Sequence, residues 1–506
     1  MPKMENKEGP PILKSEVEKA LHKMKNGKAS GEDQISAEML KALYDFGIEK
    51  LTILFNNIYD SGFLPEDMLS STFIALPKKP KANDCGDFRT LSLMSHITKL
   101  LLRVIQERIQ KKIDKEVGET QFGFRKESGT REGIFCLNTI AQKYNDVKED
   151  LYLCFIDYSK AFDRVHHDKL ITCLKSIGLD GKDINLIASL YWNQKAAIRI
   201  EDQLSEHTKI QRGVRQGCVL SPYLFNIYTE LIFRESQDLD GVKINGKNIN
   251  NLRYADDTVL IAEDREDLQM LTDNVGLHSK EAGLDMNVKK TKTMVMSRNC
   301  ATKANIIINN EELEQVDEFK YLGQTVTSDA KTEKEIRIRV GIAKSRFQEM
   351  KVVLTNRRIS QELRLRLCKC FVLSTFTYGS ETWTINKEME DKINAFEMWI
   401  FRKIANIKWT DKVRNDDVCR RLNIERSLLS EIKERKLRYF GHIKRHQSIK
   451  NEILEGRVDG KRGRGRPPRR WEDDVKAWSG MSLADCTRAV EDRDVWRSVT
   501  RQPRPP

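Results

Sequence analysis

Three aspartates of this sequence lie in contexts where a negatively charged carboxylate is energetically unfavourable. Asp157 follows the apolar run LYLCFI, and Asp256 and Asp257 stand side by side in YADDTVLIA. Adjacent like charges repel each other, and an apolar setting adds to that cost. Binding of a divalent metal is the natural compensation, because Mg²⁺ accepts carboxylate and phosphate oxygens and keeps part of its water. Two such ions can activate a hydroxyl and stabilise leaving pyrophosphate, so the pattern predicts phosphoryl transfer. If YADD is considered alone, the alternative to a metal-binding site is an exposed turn with two solvated aspartates.

The elements that carry these aspartates are predicted from the period of the apolar residues. Residues 151–157 are predicted as a buried strand that ends on Asp157, and residues 252–261 as a tight hairpin. Strands and helices alternate up to about residue 327, which indicates an α+β fold class, whereas the pattern of 331–450 is mainly helical. Helices are also predicted for residues 36–60, 92–113, 168–177 and 220–233, and for a first segment opened by a capping box of Ser15 and Glu18.

Composition indicates a folded protein of more than one domain. The chain has 506 residues, of which 39% are hydrophobic and 32% charged, and this length exceeds one ordinary core. No apolar run approaches the roughly 20 residues of a membrane span, and no apolar signal region opens the sequence, so neither a membrane partner nor secretion is expected. The ten cysteines are scattered. Scattered cysteines are typical of reduced thiols in an intracellular protein, nuclear or cytoplasmic, without a disulfide-linked partner.

Positive charge is concentrated in the second half of the chain. The formal net charge is +13, and residues 331–450 carry 29 Lys and Arg against 15 Asp and Glu. Such a surface suits a phosphate backbone that is bound without reading its sequence, and a solvated helical surface is the alternative. The segment KRGRGRPPRR (461–470) contains no acidic residue. A nuclear-localisation signal, a nucleic-acid tether and a flexible linker all stay open for it.

Eight short motifs follow one another at workable spacings. They are LPKK, DFRTLSL, QFGFRKESGT, FIDYSKAFDRVHHDKL, RQGCVLSPYLFNIY, YADD, GLDMNVKKTK and FKYLG. In this order they resemble the fingers and palm motifs of the reverse transcriptases of non-LTR (LINE-like) retrotransposons, over roughly residues 12–327. The resemblance implies a right-hand polymerase with fingers, an antiparallel-sheet palm and a helical thumb. It also implies an RNA-directed DNA polymerase that adds deoxynucleotides to a primer 3′-hydroxyl by two-metal phosphoryl transfer.

The resemblance implies roles for individual residues. Asp157, Asp256 and Asp257 would be the catalytic, metal-binding carboxylates. Phe162 would be an aromatic gate that clashes with a 2′-hydroxyl, although without the motif it would be interpreted as a core residue. Lys290 would protonate pyrophosphate, with the neighbouring lysines 289 and 292 as alternatives by register. The other expected nucleotide-binding residues are Lys78, Arg89, Tyr158 (through its backbone carbonyl), Gln216 and Gly217, and the expected primer grip is Phe319, Tyr321, Leu322 and Gly323.

The same resemblance implies ligands and a division of the chain. The expected cofactors are two Mg²⁺ ions, with Mn²⁺ as an alternative, and the expected partners are an RNA template, a DNA primer and deoxynucleoside triphosphates; the oligomeric state is left open. The predicted segments are an N-terminal extension (1–57), fingers and palm (58–327), a basic helical thumb or connection (328–450), and a basic linker with a C-terminal tail (451–506). Few residues precede the fingers, so this chain is expected to lack the element's endonuclease.

Three other interpretations are weighed against this one. An RNA-dependent RNA polymerase is disfavoured by Phe162 and by Ala255, where viral RNA polymerases usually carry Gly. A group II intron maturase is a further relative, but AFDRVHHDKL and RQGCVLSP look more LINE-like. A decayed or domesticated copy that binds nucleic acid without catalysis stays open, because folding and metal affinity can be lost through changes elsewhere in the chain.

Overall fold

The computed structural model describes residues 8–201, 203–297, 302–460 and 468–501. The helices are α1 (Lys14–His22), α2 (Ala37–Ala42), α3 (Tyr44–Ser61), α4 (Glu66–Leu69), α5 (His96–Glu116), α6 (Thr130–Val147), α7 (Ala161–Arg164), α8 (His167–Ser176), α9 (Gly181–Trp192), α10 (Ser221–Arg234), α11 (Arg265–Glu281), α12 (Glu333–Glu349), α13 (Lys351–Leu354), α14 (Gln361–Cys368), α15 (Ser374–Phe376), α16 (Lys387–Ile404), α17 (Asn415–Leu422), α18 (Leu428–Arg445), α19 (Ile449–Glu455), α20 (Trp471–Ser479), α21 (Leu483–Glu491) and α22 (Arg493–Arg501). The strands are β1 (Ser70–Pro77), β2 (Phe88–Leu93), β3 (Leu151–Ile156), β4 (Lys195–Ile200), β5 (Gln203–Leu204), β6 (Thr208–Lys209), β7 (Val242–Ile244), β8 (Lys247–Ile249), β9 (Asn251–Tyr254), β10 (Asp257–Ala262), β11 (Lys292–Met296), β12 (Ile307–Ile308), β13 (Glu311–Glu312), β14 (Glu314–Gln315), β15 (Glu318–Tyr321) and β16 (Gln324–Thr327).

Two compact units are formed, and each draws on separate stretches of the sequence. The first unit takes Met1–Glu127, Ile156–Leu239 and Met270–Lys290, and the second takes Ser128–Phe155, Asp240–Gln269 and Thr291–Pro506. Both combine helices with sheets whose strand pairs are mostly antiparallel. The predicted α+β class is therefore confirmed.

The first unit is built on a sheet in the order β2-β1-β4-β5, with β6 also paired to β4. β1 pairs antiparallel with β2 and parallel with β4. Helix α10 packs against α5 and α8, and α9 packs against α3 and α8. The apolar faces of these helices supply the core of the unit, as shown by the fully buried Leu100, Leu186 and Leu224. This packing fixes the loops that join the helices to the sheet.

A second sheet, in the order β14-β11-β3-β10-β9, lies in the second unit. Because β3 is central, it is apolar on both faces, and Leu153 and Phe155 on one face and Cys154 on the other are all buried. That pattern is expected of a strand covered from both sides. The predicted buried strand and hairpin are confirmed as β3 and β9–β10.

The helical part of the second unit is organised around α18, which packs against α16, α20, α21 and α22. Three tryptophans of the predicted C-terminal tail, Trp471, Trp478 and Trp496, are at most 3% exposed. The described segment 468–501 is therefore part of this core. In the basic segment 461–470, residues 461–467 lie outside the described part of the chain. No helix of the described residues is both long and apolar enough to cross a membrane.

The start of α1 differs from the sequence prediction. The helix begins at Lys14, where the Leu13 amide donates a hydrogen bond to the Glu16 carboxylate (2.8 Å). The predicted capping box of Ser15 and Glu18 is therefore wrong. In this half of a capping box, the residue before the helix contributes only its backbone N–H group. An apolar residue such as Leu13 can therefore occupy that position.

Two further helix predictions differ from the structure, one by a break inside the predicted helix and one at its first residues. The helix predicted for residues 36–60 is divided into α2 and α3 at Tyr44, whose φ of 49° is left-handed. The helix predicted for residues 92–113 begins later, at the first residue of α5. Ser92 and Leu93 instead belong to β2 and pair with β1, because a strand partner satisfies their backbone groups equally well.

Candidate active site

The strand that leads into Asp157 is a neighbour of the hairpin that carries the paired aspartates. In the sheet order of the second unit, β3 stands next to β10. β9 and β10 pair antiparallel with Tyr254 opposite Asp257, so Ala255 and Asp256 form a two-residue turn. The predicted tight hairpin at YADD is confirmed, and the strand before Asp157 lies next to this hairpin in the sheet.

Ala255 adopts a strained conformation in this turn. Its φ is 57°, in the left-handed region where hairpin turns usually place glycine. The residue is only 4% exposed, whereas Asp256 is half-buried and Asp257 is exposed. Strain of this kind persists only where the surrounding structure enforces it, and it concentrates at functional sites.

The predicted primer-grip motif packs against the strands of this sheet. The rings of Phe319 and Phe155 stack with their centroids 4.3 Å apart, and the Tyr321 ring lies 5.8 Å from Phe155. The Tyr321 hydroxyl also donates to the Leu252 carbonyl (3.4 Å). Burial, and then the charge of Asp257, raise the pKa of Tyr321 above its usual range. Phe319 and Tyr321 thus attach the β15–β16 hairpin to both β3 and β9.

The turn of that hairpin consists of Leu322 and Gly323, with φ angles of 48° and 81°. Left-handed φ at both positions is the signature of the type I′ turn, which matches the twist of paired strands. Leu322 is 8% exposed, so its side chain faces the protein. Any ligand of this turn would meet backbone groups.

In the first unit, Asp157 is fixed by residues of the GLDMNVKKTK motif. Its carbonyl accepts the Asn287 amide (2.8 Å), and its Oδ2 lies 3.6 Å from Nζ of Lys290. Lys292, one of the alternatives by register, instead pairs with Glu314 (2.6 Å). The structure thus brings Lys290 together with Asp157, and the role of Lys290 as proton donor stays a prediction.

Tyr158 is anchored on the same motif. Its hydroxyl and the Ser279 hydroxyl are hydrogen-bonded at 2.9 Å. The following amide, that of Ser159, donates to the Asp285 carbonyl (2.9 Å), and Tyr158 forms a bridge with Met286. The side chain of Tyr158 is therefore buried in the fold, and the backbone of the segment is held by contacts on both sides of it.

Phe162 stands on a second aromatic ring. Its ring stacks on Phe225 of α10 with centroids 4.2 Å apart and planes 10° from parallel. The Phe162 carbonyl accepts the amide of Val214 (2.8 Å). Phe162 is half-buried while Phe225 is fully buried, so one face of the Phe162 ring is supported from the core.

Gln216 and Gly217 lie between this segment and β2. The Gln216 side-chain amide donates to Asp163 (3.1 Å), and its carbonyl accepts the Ser92 amide (2.9 Å). Gly217 has a φ of 101°, and a Cβ there would meet the Leu91 side chain at 3.1 Å and the Ser92 carbonyl at 3.3 Å. Glycine is therefore required for this close approach.

Lys78 and Arg89 extend from one face of the β1–β2 hairpin. Arg89 is opposite Leu76 in the register, and the Lys78 amide donates to the Asp87 carbonyl (2.8 Å), two residues further along each segment. Directly opposite residues share a face and the face repeats every second residue, so both basic side chains lie on one side. Both are exposed, and Nζ of Lys78 reaches the Gly86 carbonyl (3.0 Å).

Sequence reasoning missed Arg215, which precedes this turn. Its Nε donates to the Gln194 side chain (3.0 Å) and one Nη to the Leu69 carbonyl (2.6 Å). The guanidinium is buried, and burial lowers the pKa of Arg215. It ties the Gln216 turn to the start of β1 and the end of α9. The available signal was a charged residue beside an apolar run.

The predicted site residues divide between the units. In the first unit lie Asp157, Lys78, Arg89, Tyr158, Phe162, Gln216, Gly217 and Lys290, and in the second Asp256, Asp257, Phe319, Tyr321, Leu322 and Gly323. Among the described residues, no three His, Cys, Asp or Glu side chains form a group that could hold a metal ion by themselves. Three carboxylates are nevertheless a suitable donor set for Mg²⁺, which uses one or two carboxylates with waters and substrate phosphates.

Comparison with known proteins identifies the domain. Residues 76–326 match the family model described as reverse transcriptase (RNA-dependent DNA polymerase). The RNA-directed DNA polymerase from mobile element jockey of Drosophila funebris is 25% identical over 413 residues, which cover 80% of this chain and 45% of that protein. The Pol polyprotein from the type-1 retrotransposable element R2 of Nasonia vitripennis is 29% identical over 300 residues, 57% of this chain and 29% of that protein.

Among solved structures, apo telomerase from Candida tropicalis aligns with 81% of this chain and 74% of its own, at 12% identity and a TM-score of 0.41. This chain spans less than half of the length of the jockey and R2 proteins. Residues 76–326 therefore form a reverse transcriptase domain, and the chain is a relative of the reverse transcriptases of non-LTR retrotransposons.

Proposed function

We propose that this chain is an RNA-directed DNA polymerase that extends the 3′-hydroxyl of a primer with deoxynucleotides. The observation that carries the proposal is the strand order of the second unit. There, β3, which leads into Asp157, is the neighbour of β10, which begins with Asp257. Phosphoryl transfer consists mostly of positioning and charge neutralisation, and it requires carboxylates that act together.

Asp157, Asp256 and Asp257 are the residues that would hold the divalent ions, Mg²⁺ or Mn²⁺. When bound there, such ions supply the positive charge that neutralises the triphosphate and favours ionisation of the primer hydroxyl. The exposure of Asp257 and the partial exposure of Asp157 and Asp256 support this assignment, since a ligand must reach their oxygens.

Lys78 and Arg89 bind the triphosphate of the incoming nucleotide. Two exposed cations on one face of the β1–β2 hairpin attract an anion, and the arginine fork suits bidentate contact with phosphate oxygens. Lys290 donates a proton to the leaving pyrophosphate. Its ammonium lies 3.6 Å from the Asp157 carboxylate, so it is held beside the reacting group.

Phe162 selects deoxynucleotides. With one face of its ring stacked on Phe225, the ring cannot retreat from a sugar placed against the other face, and a 2′-hydroxyl would collide with it. Gly217 lets the backbone approach the nucleotide closely, and Gln216 helps to hold the nascent base pair; the contacts of both residues with β2 fix the position of this turn.

Residues 331–450 contact the RNA template and the DNA primer through phosphates. This segment folds into helices α12 to α18 and carries 29 basic residues against 15 acidic ones. Such an excess favours a polyanion without regard to its sequence.

The test is primer extension by the full chain on an RNA template with Mg²⁺, supplying deoxynucleotides or ribonucleotides separately. We expect extension with deoxynucleotides, weak use of ribonucleotides, and no extension by Asp256→Ala. Asp494→Ala, at a side chain that is 91% exposed on α22, is the control and should extend normally. A folded wild type that binds the duplex without extending it would instead favour a copy without catalysis.

A further inference from the structure

Two side chains from the helical part of the second unit converge on the turn of the β15–β16 hairpin. The Tyr378 hydroxyl lies 2.9 Å from the Leu322 carbonyl, and an Nη of Arg339 donates to the Gly323 carbonyl. Both carbonyls of the turn are therefore engaged by residues that are distant from it in the sequence.

The tyrosine is itself held in place. Its hydroxyl also lies 3.0 Å from the Thr130 hydroxyl at the start of α6. A phenol has a single proton, so Tyr378 donates to the Leu322 carbonyl and accepts from Thr130. The Tyr378 ring packs on Gly323, where a Cβ would meet it at 3.4 Å.

Arg339 is held more firmly still. Its Nε lies 2.5 Å from the Glu335 carboxylate, and its guanidinium stands 4.6 Å above the Tyr378 ring. The other Glu335 oxygen accepts the Thr325 amide of β16 (2.8 Å). The Glu335 and Arg339 side chains are only 1% and 10% exposed. The guanidinium fork thus bridges α12 and the hairpin turn, which a lysine ammonium could not do with the same geometry.

The Leu322–Gly323 turn also presents two backbone N–H groups as hydrogen-bond donors. Within the described residues, neither the Leu322 amide nor the Gly323 amide donates a hydrogen bond to another group. Consecutive amides in a turn form a small anion-binding concavity. The chemistry presented at this point suits a phosphodiester.

We propose that Tyr378 and Arg339 are positioning residues that hold the Leu322–Gly323 turn in the conformation with which it contacts a phosphate of the primer strand. The inference rests on the proposed function, because it takes the hairpin turn as a contact of the primer. The pair acts through the backbone of the turn and touches no reacting atom.

The test uses the full chain, a recessed RNA–DNA template–primer duplex, and the variants Tyr378→Phe and Arg339→Lys. The first removes one hydroxyl and keeps the ring under Arg339; the second keeps the charge and loses the fork. Tyr44→Phe, at a tyrosine that is 78% exposed on α3, is the matched control. Fluorescence anisotropy gives the dissociation constant of the duplex, and thermal unfolding gives the melting temperature.

Both variants should weaken duplex binding by roughly three- to tenfold, the range expected for one lost hydrogen bond, while the control binds as tightly as wild type. Every protein should melt well above the temperature of the binding assay, so that a lower affinity does not reflect unfolding. A primer whose last phosphodiesters are neutral methylphosphonates should abolish the difference between Tyr378→Phe and wild type, since the two changes remove one interaction. Extension assays should show unchanged apparent affinity for the deoxynucleotide.

Equal duplex affinity of the variants and wild type would overturn the inference, as would a loss that persists unchanged on the neutral primer. A wild type that binds the duplex without extending it contradicts the proposed polymerase activity, yet the affinity comparison still decides the role of Tyr378 and Arg339. A wild type that does not bind the duplex overturns both proposals.

Discussion

Under the proposed function, Phe162 is the residue on which the choice of sugar would depend. Replacing it with valine keeps an apolar side chain but removes the ring that stacks on Phe225. Preference for deoxynucleotides over ribonucleotides should then fall by about tenfold or more, because a discrimination of this kind is worth a few kcal/mol at most. Single-nucleotide extension with each nucleotide class measures the ratio.

The matched control for Phe162→Val is Phe233→Leu, a buried ring on the same helix as Phe225. It should lower stability and leave the preference intact. A preference that survives Phe162→Val while stability falls would assign Phe162 to the core alone.

Asp183 gives the first unit a defined pH dependence. Burial raises its pKa from 3.8 to about 6, although the hydrogen bond donated by Tyr59 (2.8 Å) acts in the opposite direction and lowers the pKa. Between these values the unfolded chain has lost the proton and the folded chain still holds it. The folded state is therefore favoured below pH 4, and that advantage is lost as pH rises through 6, by at most about 3 kcal/mol.

Asp183→Asn should consequently stabilise the protein at pH 7 and have little effect at pH 4, since an amide can still accept from Tyr59. Thermal unfolding of wild type and variant at both values measures the difference. An equal effect at the two pH values would mean that Asp183 is not protonated in the folded chain at pH 4 to 6.

At the scale of elements, one buried ion pair joins α18 to α20. Nζ of Lys436 lies 2.5 Å from Asp474, both side chains are fully buried, and burial lowers the pKa of Lys436 to about 8. Asp474 also accepts the Ile385 amide (2.9 Å). Removing one partner leaves an uncompensated buried charge, so Asp474→Ala should destabilise this part of the chain by about 3 to 5 kcal/mol.

Tryptophan fluorescence during denaturation reports this loss directly, because Lys436 stands over the rings of Trp471 and Trp478. Glu388→Ala breaks the exposed pair with Lys392 on α16 and is the control, expected to shift the denaturation midpoint far less, because water screens an exposed ion pair. Equal shifts for Asp474→Ala and Glu388→Ala would contradict the account of the buried pair.

The elements that the sequence predicted well are those with a strong local period. LYLCFI is apolar at every position, which is typical of a strand that is covered on both faces. In YADD, only two residues separate the paired positions Tyr254 and Asp257, so the turn between the two strands must be tight. The break at Tyr44 was missed because its left-handed φ has no local signal such as glycine. The strand character of Ser92 and Leu93 was missed because it depends on a partner strand elsewhere in the chain.

At the scale of the whole molecule, each compact unit is assembled from three separate segments. Motif residues could be predicted because each motif has a recognisable local sequence. Arg339 and Tyr378 could not, since they lie outside these motifs and reach the hairpin turn across 16 and 56 residues of sequence. The contact of Lys290 with Asp157 at 3.6 Å joins residues of two different motifs, and the role of Lys290 as proton donor stays a prediction.

The most direct test of the account is the rate at which the full chain adds one deoxynucleotide to a primer on an RNA template. Wild type and the control Asp494→Asn should add it at equal rates, and Asp157→Asn should be slower by at least about a hundredfold, since removing one electrostatic contact to a transition state costs that much. Duplex affinity should be the same in all three proteins. A wild type that adds no nucleotide, or an Asp157→Asn variant that adds it at the wild-type rate, would contradict the account.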